Sequence, residues 1–469
     1  MKRLIRQAQR WLYWTHRWAG IVTCLLFAMW FVSGLVMIYV GFPALTDAER
    51  RALLPVIDGQ QLRFSPTEAL AAAGQGTWPR SLKLEMLRDE PVYRITGWDD
   101  ARLTISARDG RRIEGIDAAT AIVIAGGGMA VLEDRDQWSV TARYDPLRPF
   151  HLVSRNDAAG TQIYVSSRTG EVALDTVRWE RFWNWLGSVP HWIYPTVLRR
   201  DAALWTDVVL WLSGISIVVA VSGIWIGIQR LRPQRRYSSG AMSPYSGWMW
   251  WHHWAGVIGS LFLLAWIVSG WLSMNPNQWF SGRNTDAAAL QRYAGHATAD
   301  FPLAVEVAAG SVELRFLWIG GAPLVVQYRR DGSAAGTALD PAQVFAAATR
   351  LLPQARPVQQ LVQTEEDDYW YSHHTRRMLP VLRIGFDDAS RTAFFIDPLA
   401  GDVLMRLDDS RRGYRWLFSA LHSFDFQVLR HAPPAWKATI WIMSLVGLAM
   451  SVSGIVIGWR HLRRKAGLR

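Results

Sequence analysis

The chain has 469 residues, half of them hydrophobic, with 27 Trp, a single Cys and a net charge of +12. One cysteine excludes disulfides and thiolate zinc sites, and the absence of a C-x-x-C-H run excludes covalent c-type haem. The excess charge sits in three short segments that contain no Asp or Glu, a pattern of membrane flanks rather than of a nucleic-acid surface.

Those segments are residues 1–17 (Lys2, Arg3, Arg6, Arg10, Arg17), 229–247 (Arg230, Arg232, Arg235, Arg236) and 460–469 (Arg460, Arg463, Arg464, Lys465, Arg469). Positive flanks mark the cytoplasmic side, so both termini and the central loop are expected there, in a multi-pass protein of a bacterial inner membrane. The rest of the chain carries −2.

In chain order, residues 1–40 hold a basic segment and a first apolar run, from about 18 to 40. That run is too long for a cleaved signal and has no clear small-residue cleavage site after it, so it reads as an anchor. Residues 41–203 form a first outside region, with strands at 92–95, 103–106 and 161–165, turns at Asp109-Gly110 and Thr169-Gly170, and a short helix from Pro66 to Ala73. Residues 204–236 hold a second spanning helix and its basic flank, and 237–274 a loop and a third, from about 254. Residues 275–435 form a second outside region, with strands at 324–328 and 392–396 and a helix from Pro341 to Leu352. Residues 436–469 hold the fourth spanning helix and a basic end. The fold class is therefore a membrane bundle of four helices, with two α+β extracytoplasmic units.

The chain is an internal duplication. Pro149, Thr161, Gly170, Trp185, His191, Trp205, Ser222 and Gly223 recur, at a constant offset of 231, as Pro380, Thr392, Gly401, Trp416, His422, Trp436, Ser453 and Gly454. The opening His16-Arg17-Trp18-Ala19-Gly20 recurs at an offset of 236 as His252-His253-Trp254-Ala255-Gly256. Each half is helix, outside region, helix, so the halves are parallel repeats related by a pseudo-two-fold along the membrane normal.

Of eleven histidines, four are repeat mates: His16 with His252, and His191 with His422. Such an axis sets mates at equal height across a bundle, where two imidazoles can fill both axial positions of one haem iron. Two haem b groups, one near each membrane face, are the expected cofactors. A different metal and plain packing are the rival readings; zinc would want further ligands, and no carboxylate lies beside His16 or His252. His253, the mate of Arg17, is an alternate ligand. His373 and His374 are alternates for the second site, or substrate contacts with Tyr369, Trp370, Tyr371, Arg376 and Arg377. His151, His431 and His461 are assigned surface roles. No catalytic side chain is assigned. No Asp, Glu, Lys or Arg lies near the middle of a spanning helix, which argues against proton-coupled transport. Phosphate-loop, dinucleotide and nucleophile-elbow patterns are absent.

The two His-x-Trp-Ala-Gly copies, Tyr164-Val165-Ser166-Ser167-Arg168-Thr169-Gly170-Glu171-Val172, Arg415-Trp416-Leu417-Phe418-Ser419-Ala420-Leu421-His422 and Ser453-Gly454-Ile455 carry a resemblance. On them the chain resembles the PepSY-associated transmembrane family of bacterial inner-membrane proteins, over nearly its whole length. The resemblance implies two PepSY-type units on four helices. Because the family includes haem-containing ferrisiderophore reductases, it also implies a dihaem reductase. The expected partners are then a ferric siderophore or other iron chelate outside, a cytoplasmic or quinol electron donor, and the lipid bilayer. The rival expectation is a non-catalytic sensor or accessory protein that binds a peptide or partner outside.

Overall fold

The computed structural model describes residues 2–335, 339–372 and 377–467. The chain divides into two compact units, one of Met1–Phe42, Phe182–Phe280 and Arg412–Arg469, the other of Pro43–Arg181 and Ser281–Arg411.

The first unit holds four helices long and apolar enough to cross a membrane: Lys2–Met37, Ala202–Arg230, Gly247–Ser273 and Pro433–Lys465. All four run beyond the apolar stretches that signal them. The first begins some sixteen residues earlier than expected and ends at Met37. Its basic start, Lys2 to Arg10, is made of good helix formers without Gly or Pro, so the hydrogen-bond ladder continues past the apolar stretch. The first and third helices each pack against the second and fourth, so repeat mates lie diagonally in a ring of four. Small residues let the helices approach. A methyl group on Gly447 would fall 2.1 Å from the Phe31 ring, and one on Gly458 would meet Ile21 at 3.0 Å.

The second unit holds both expected outside regions and joins them through one sheet. Strands β1 (Ser81–Leu87), β2 (Glu90–Thr96) and β3 (Arg102–Ser106) come from the first half. So do β4 (Met129–Glu133), β5 (Phe150–Ser154), β6 (Gln162–Ser166) and β7 (Val172–Thr176). The second half gives β8 (Ser311–Ile319), β9 (Ala322–Arg329), β10 (Ala334–Ala335), β11 (Pro357–Gln363), β12 (Val381–Phe386), β13 (Ala393–Ile396) and β14 (Val403–Leu407). The order β10-β9-β8-β1-β2-β3 makes one six-stranded sheet from both halves, while β4-β5-β6-β7 and β11-β12-β13-β14 each stay within one half.

The ladders repeat as the sequence does. Leu152 faces Tyr164 and Arg383 faces Phe395, both pairs shifted by 231, and the bulge after Tyr164 recurs after Phe395. In the shared sheet the shift is 232, since Leu87 faces Glu90 across one hairpin and Ile319 faces Ala322 across the other. Lys83 and its mate Arg315 face each other across the β1–β8 junction, so the pseudo-two-fold passes between them. Glu85 and Glu313 face each other there too, an arrangement that would repel. Arg50 bridges both carboxylates, and Arg51 adds a second contact to Glu313 at 3.3 Å. Burial pushes the Glu313 carboxyl up, but Lys83, Arg50 and Arg51 outweigh it and hold its pKa down at about 2.

Candidate functional site

The helical unit brings the four repeat-mate histidines together in two facing pairs. His16 on the first helix and His252 on the third have ring centroids 6.3 Å apart, tilted by 49°. His191, at the end of the short helix Ser188–His191, and His422, in Leu421–Ser423, have centroids 6.1 Å apart at 73°. His191 packs beside Ser33-Gly34 while His16 lies seventeen residues earlier on that helix; at 1.5 Å per residue the two levels are about 26 Å apart along it.

Each imidazole is held by its Nδ1 atom. His16 Nδ1 lies 3.2 Å from the Val219 carbonyl and 3.3 Å from Ser222 Oγ. Its mate His252 Nδ1 lies 3.0 Å from the Met450 carbonyl and 3.4 Å from Ser453 Oγ. A carbonyl only accepts, so both Nδ1 atoms carry the proton. In the second pair Ser33 Oγ is 3.1 Å from His191 Nδ1, and Ser269 Oγ is 3.0 Å from His422 Nδ1. Those hydroxyls donate to the carbonyls of Met29 (2.6 Å) and Trp266 (3.0 Å), which leaves each Oγ to accept the Nδ1 proton. All four Nε2 atoms are then unprotonated, the tautomer that ligates a metal with the other nitrogen anchored. Burial pushes the His191 imidazole down to a pKa of about 3 and His422 to about 4, so both stay neutral.

A glycine floors each ring. A methyl group would meet the ring Cε1 at 2.6 Å on Gly223 (His16), 3.3 Å on Gly454 (His252), 3.4 Å on Gly34 (His191) and 3.5 Å on Gly270 (His422). Every spanning helix thus contributes one Ser-Gly step to one histidine. In the sequence Ser222-Gly223 and Ser453-Gly454 stand out only as repeats, and Ser33-Gly34 and Ser269-Gly270 are not among the residues singled out there. The signal was available: the latter pair recurs at the offset of 236 that also relates His16 to His252.

Two imidazoles face each other at each level, and no cluster of three or more His, Cys, Asp or Glu that could hold an ion occurs among the described residues. A metal bond of about 2 Å to each ring, plus about 1.1 Å from nitrogen to ring centre, sets two axial imidazoles of one iron about 6 Å apart, centroid to centroid. The spacings of both pairs fit that requirement, as does the donor chemistry.

The other candidates lie elsewhere. His253 turns away from His16, with Nδ1 2.8 Å from Ser243 Oγ and Nε2 3.0 Å from the Gly227 carbonyl, so both nitrogens are spent on tying helices and loop together. His373, His374 and Arg376 lie outside the described residues. Trp370 is a core residue, not a substrate contact: it is 2% exposed, stacks on Phe395 at 5.0 Å, and donates from Nε1 to the Met378 carbonyl. Tyr369 packs with that cluster, and Arg377 lies over the Trp370 ring and donates to the Tyr371 carbonyl. His151 is also buried rather than superficial, its Nε2 3.0 Å from the Ile116 carbonyl. His461 is half-buried with its ring edge-on to Trp18, and His431 is exposed.

No curated protein matches the chain. The model of one family does, described as the PepSY-associated TM region, over residues 13–336. That match covers more than half of the chain and spans three of the four membrane helices and the whole six-stranded sheet, so the chain belongs to the family of PepSY-associated transmembrane proteins.

Proposed function

We propose that this membrane protein transfers electrons to a ferric chelate of siderophore type, using one haem b between His16 and His252 and another between His191 and His422. The observation that carries the reading is the pair of centroid spacings, 6.3 and 6.1 Å, at two levels of one bundle with every Nδ1 anchored. A haem held by His16 and His252, and one held by His191 and His422, would supply one-electron redox chemistry. The protein's own part is to fix the four rings. The carbonyls of Val219 and Met450 and the hydroxyls of Ser33 and Ser269 set the tautomer, and the glycines admit the rings. Between the two levels Phe27, Phe31, Trp30, Phe262 and Trp266 pack with aliphatic side chains. A quinol or a cytoplasmic reductase is the donor at the His16 end, with both termini cytoplasmic in the inner membrane.

Purified protein should show a Soret band and two haems per chain. His16→Ala and His252→Ala should each remove the same haem, and His191→Ala and His422→Ala the other. Retention of both haems in all four variants would sink the assignment. A reporter active only outside the cytoplasm should be silent when fused at residue 240; a strong signal there would refute the orientation.

A second reading is a non-catalytic accessory protein that binds an extracytoplasmic peptide or partner. It is consistent with family membership, which by itself carries no redox chemistry, and is favoured by β11. This strand ends its sheet with Val358 67% and Leu361 42% exposed, and an extended segment can add to such an edge. A protein purified without a Soret band, whatever haem is supplied, would leave this reading standing.

A further inference from the structure

The shared sheet and the segment 45–55 enclose a cleft of about 580 Å³ in the extramembrane unit. It is lined by the charged side chains of Asp47, Arg50, Lys83, Glu85, Arg94, Arg102 and Glu171 and by the apolar ones of Leu53, Leu54, Val123 and Ile124. The volume falls within the range of small-molecule sites.

The repeat supplies an internal comparison. In the second half Arg315 grips Asp402 with both fork nitrogens, at 2.6 and 3.0 Å. The mates of these residues in the first half are Lys83 and Glu171. Glu171 is taken instead by Arg102 at 3.0 Å and by the Thr169 hydroxyl at 3.1 Å. The Lys83 ammonium reaches Glu313 at 3.7 Å, an ion pair too long for a hydrogen bond. Three donors of a half-buried cation therefore border the cleft without a close acceptor among the described residues.

The surrounding charges lean the same way. The cleft lining carries Arg50, Lys83, Arg88, Arg94 and Arg102 against Asp47, Glu85, Asp89 and Glu171, an excess of one positive charge. Asp47 is 70% exposed and lies 3.6 Å from Arg50 and 4.0 Å from Arg51. Burial disfavours the charged form of Lys83, a cost that a bound anion would offset.

We infer that this cleft binds the carboxylate of a small organic anion, with the Lys83 ammonium as its principal partner and the leucine–valine–isoleucine walls around its apolar body. The same chemistry is offered by a free short-chain acid and by the C-terminus of an apolar peptide. The site is independent of the haem reading.

The test is calorimetric titration of the full chain in lipid nanodiscs, with empty nanodiscs as blank. The probes are hexanoate and N-acetyl-leucine, each against its neutral amide. Saturable binding of a carboxylate, with the amide at least about tenfold weaker, is expected, since one charge-assisted hydrogen bond is worth about a factor of ten or more. Preference for N-acetyl-leucine would identify the peptide terminus, and preference for hexanoate the free acid. Lys83→Met should weaken binding by about the same factor. Lys83→Arg keeps the charge but copies Arg315, so its fork should close on Glu171 and weaken binding in a protein that is certain to retain the cation. The inference is overturned if neither acid binds below about 10 mM, if the amides bind as well, or if both Lys83 variants bind like the parent.

Discussion

The tightest contact around the four histidines is beneath His16, and it makes a quantitative prediction. A methyl group at position 223 would lie 2.6 Å from His16 Cε1, 3.3 Å from Nδ1 and 3.5 Å from Nε2. Carbon atoms rest about 3.5 Å or more apart, so the ring must move or the second helix must retreat, at about 1–3 kcal/mol. Gly→Ala inside a helix gains up to about 1 kcal/mol from propensity, so Gly223→Ala should be destabilising on balance. Gly256→Ala is the control: it lies in a spanning helix with nothing within 4 Å of the new methyl group, and should be neutral or stabilising. Gly270→Ala, 3.5 Å from His422, belongs near the control, with Gly34→Ala beside it. The assay is thermal unfolding in detergent, with haem content measured on the same samples. Gly223→Ala should unfold first and lose the haem of its own pair first. Should it match Gly256→Ala in both readouts, the close packing of His16 on the second helix is wrong.

Three further outcomes follow from the same contacts. Ser33→Ala leaves the His191 Nδ1 proton without its acceptor, at about 1–3 kcal/mol, whereas Ser222→Ala leaves His16 its carbonyl; haem transfer to apomyoglobin should therefore be accelerated more by Ser33→Ala, and equal rates would contradict the assigned partners. Glu313 has a folded pKa of about 2 against 4.5 unperturbed, so it contributes stability above about pH 4.5 that is lost as pH falls toward 2, about 3 kcal/mol in all; Glu313→Gln should flatten the acid-unfolding curve in that window, and an unchanged curve would show that the carboxylate is not held by its three cations. Trp370→Ala should cost about 3–5 kcal/mol as a core truncation and Trp370→Phe much less, read by denaturant unfolding; a Trp370→Ala protein of parental stability would return this residue to the list of surface contacts.

The parts of this fold legible in the sequence were those with a strong local period or an unbroken apolar run. The spanning helices announced themselves by length, but their ends did not, because Lys2 to Arg10 and Arg460 to Lys465 are as helix-prone as they are charged. Strands such as Val92–Ile95 stood out by composition; β1 carries an equally readable signal, since Leu82, Leu84 and Met86 alternate with Lys83 and Glu85 in the pattern of a half-buried strand. The shared sheet was not legible at all, since pairing of β1 with β8 joins residues more than two hundred positions apart and leaves no mark in either segment. Trp370 was misread for a related reason: an aromatic run beside His and Arg looks like a binding surface until its partner Phe395 is known.

The two facing histidine pairs were legible for a reason peculiar to duplicated chains. A lone buried histidine says little, but a pseudo-two-fold requires mates to share a height, and residues close to the axis must then face each other. The sequence could supply the height and not the distance from the axis, so it could not separate His252 from His253. The structure separates them: the first meets His16 at 6.3 Å and the second spends both nitrogens on its neighbours. The same axis isolates what the halves do not share. Lys83 and Arg315 face each other across it, yet Arg315 grips its carboxylate with a fork, while the Lys83 ammonium reaches only Glu313, at 3.7 Å, beside a cleft. A purely structural pair would gain from the fork on both sides. A lysine on one side only is the asymmetry that an anion in the cleft would explain, and the Lys83→Arg variant tests that step directly.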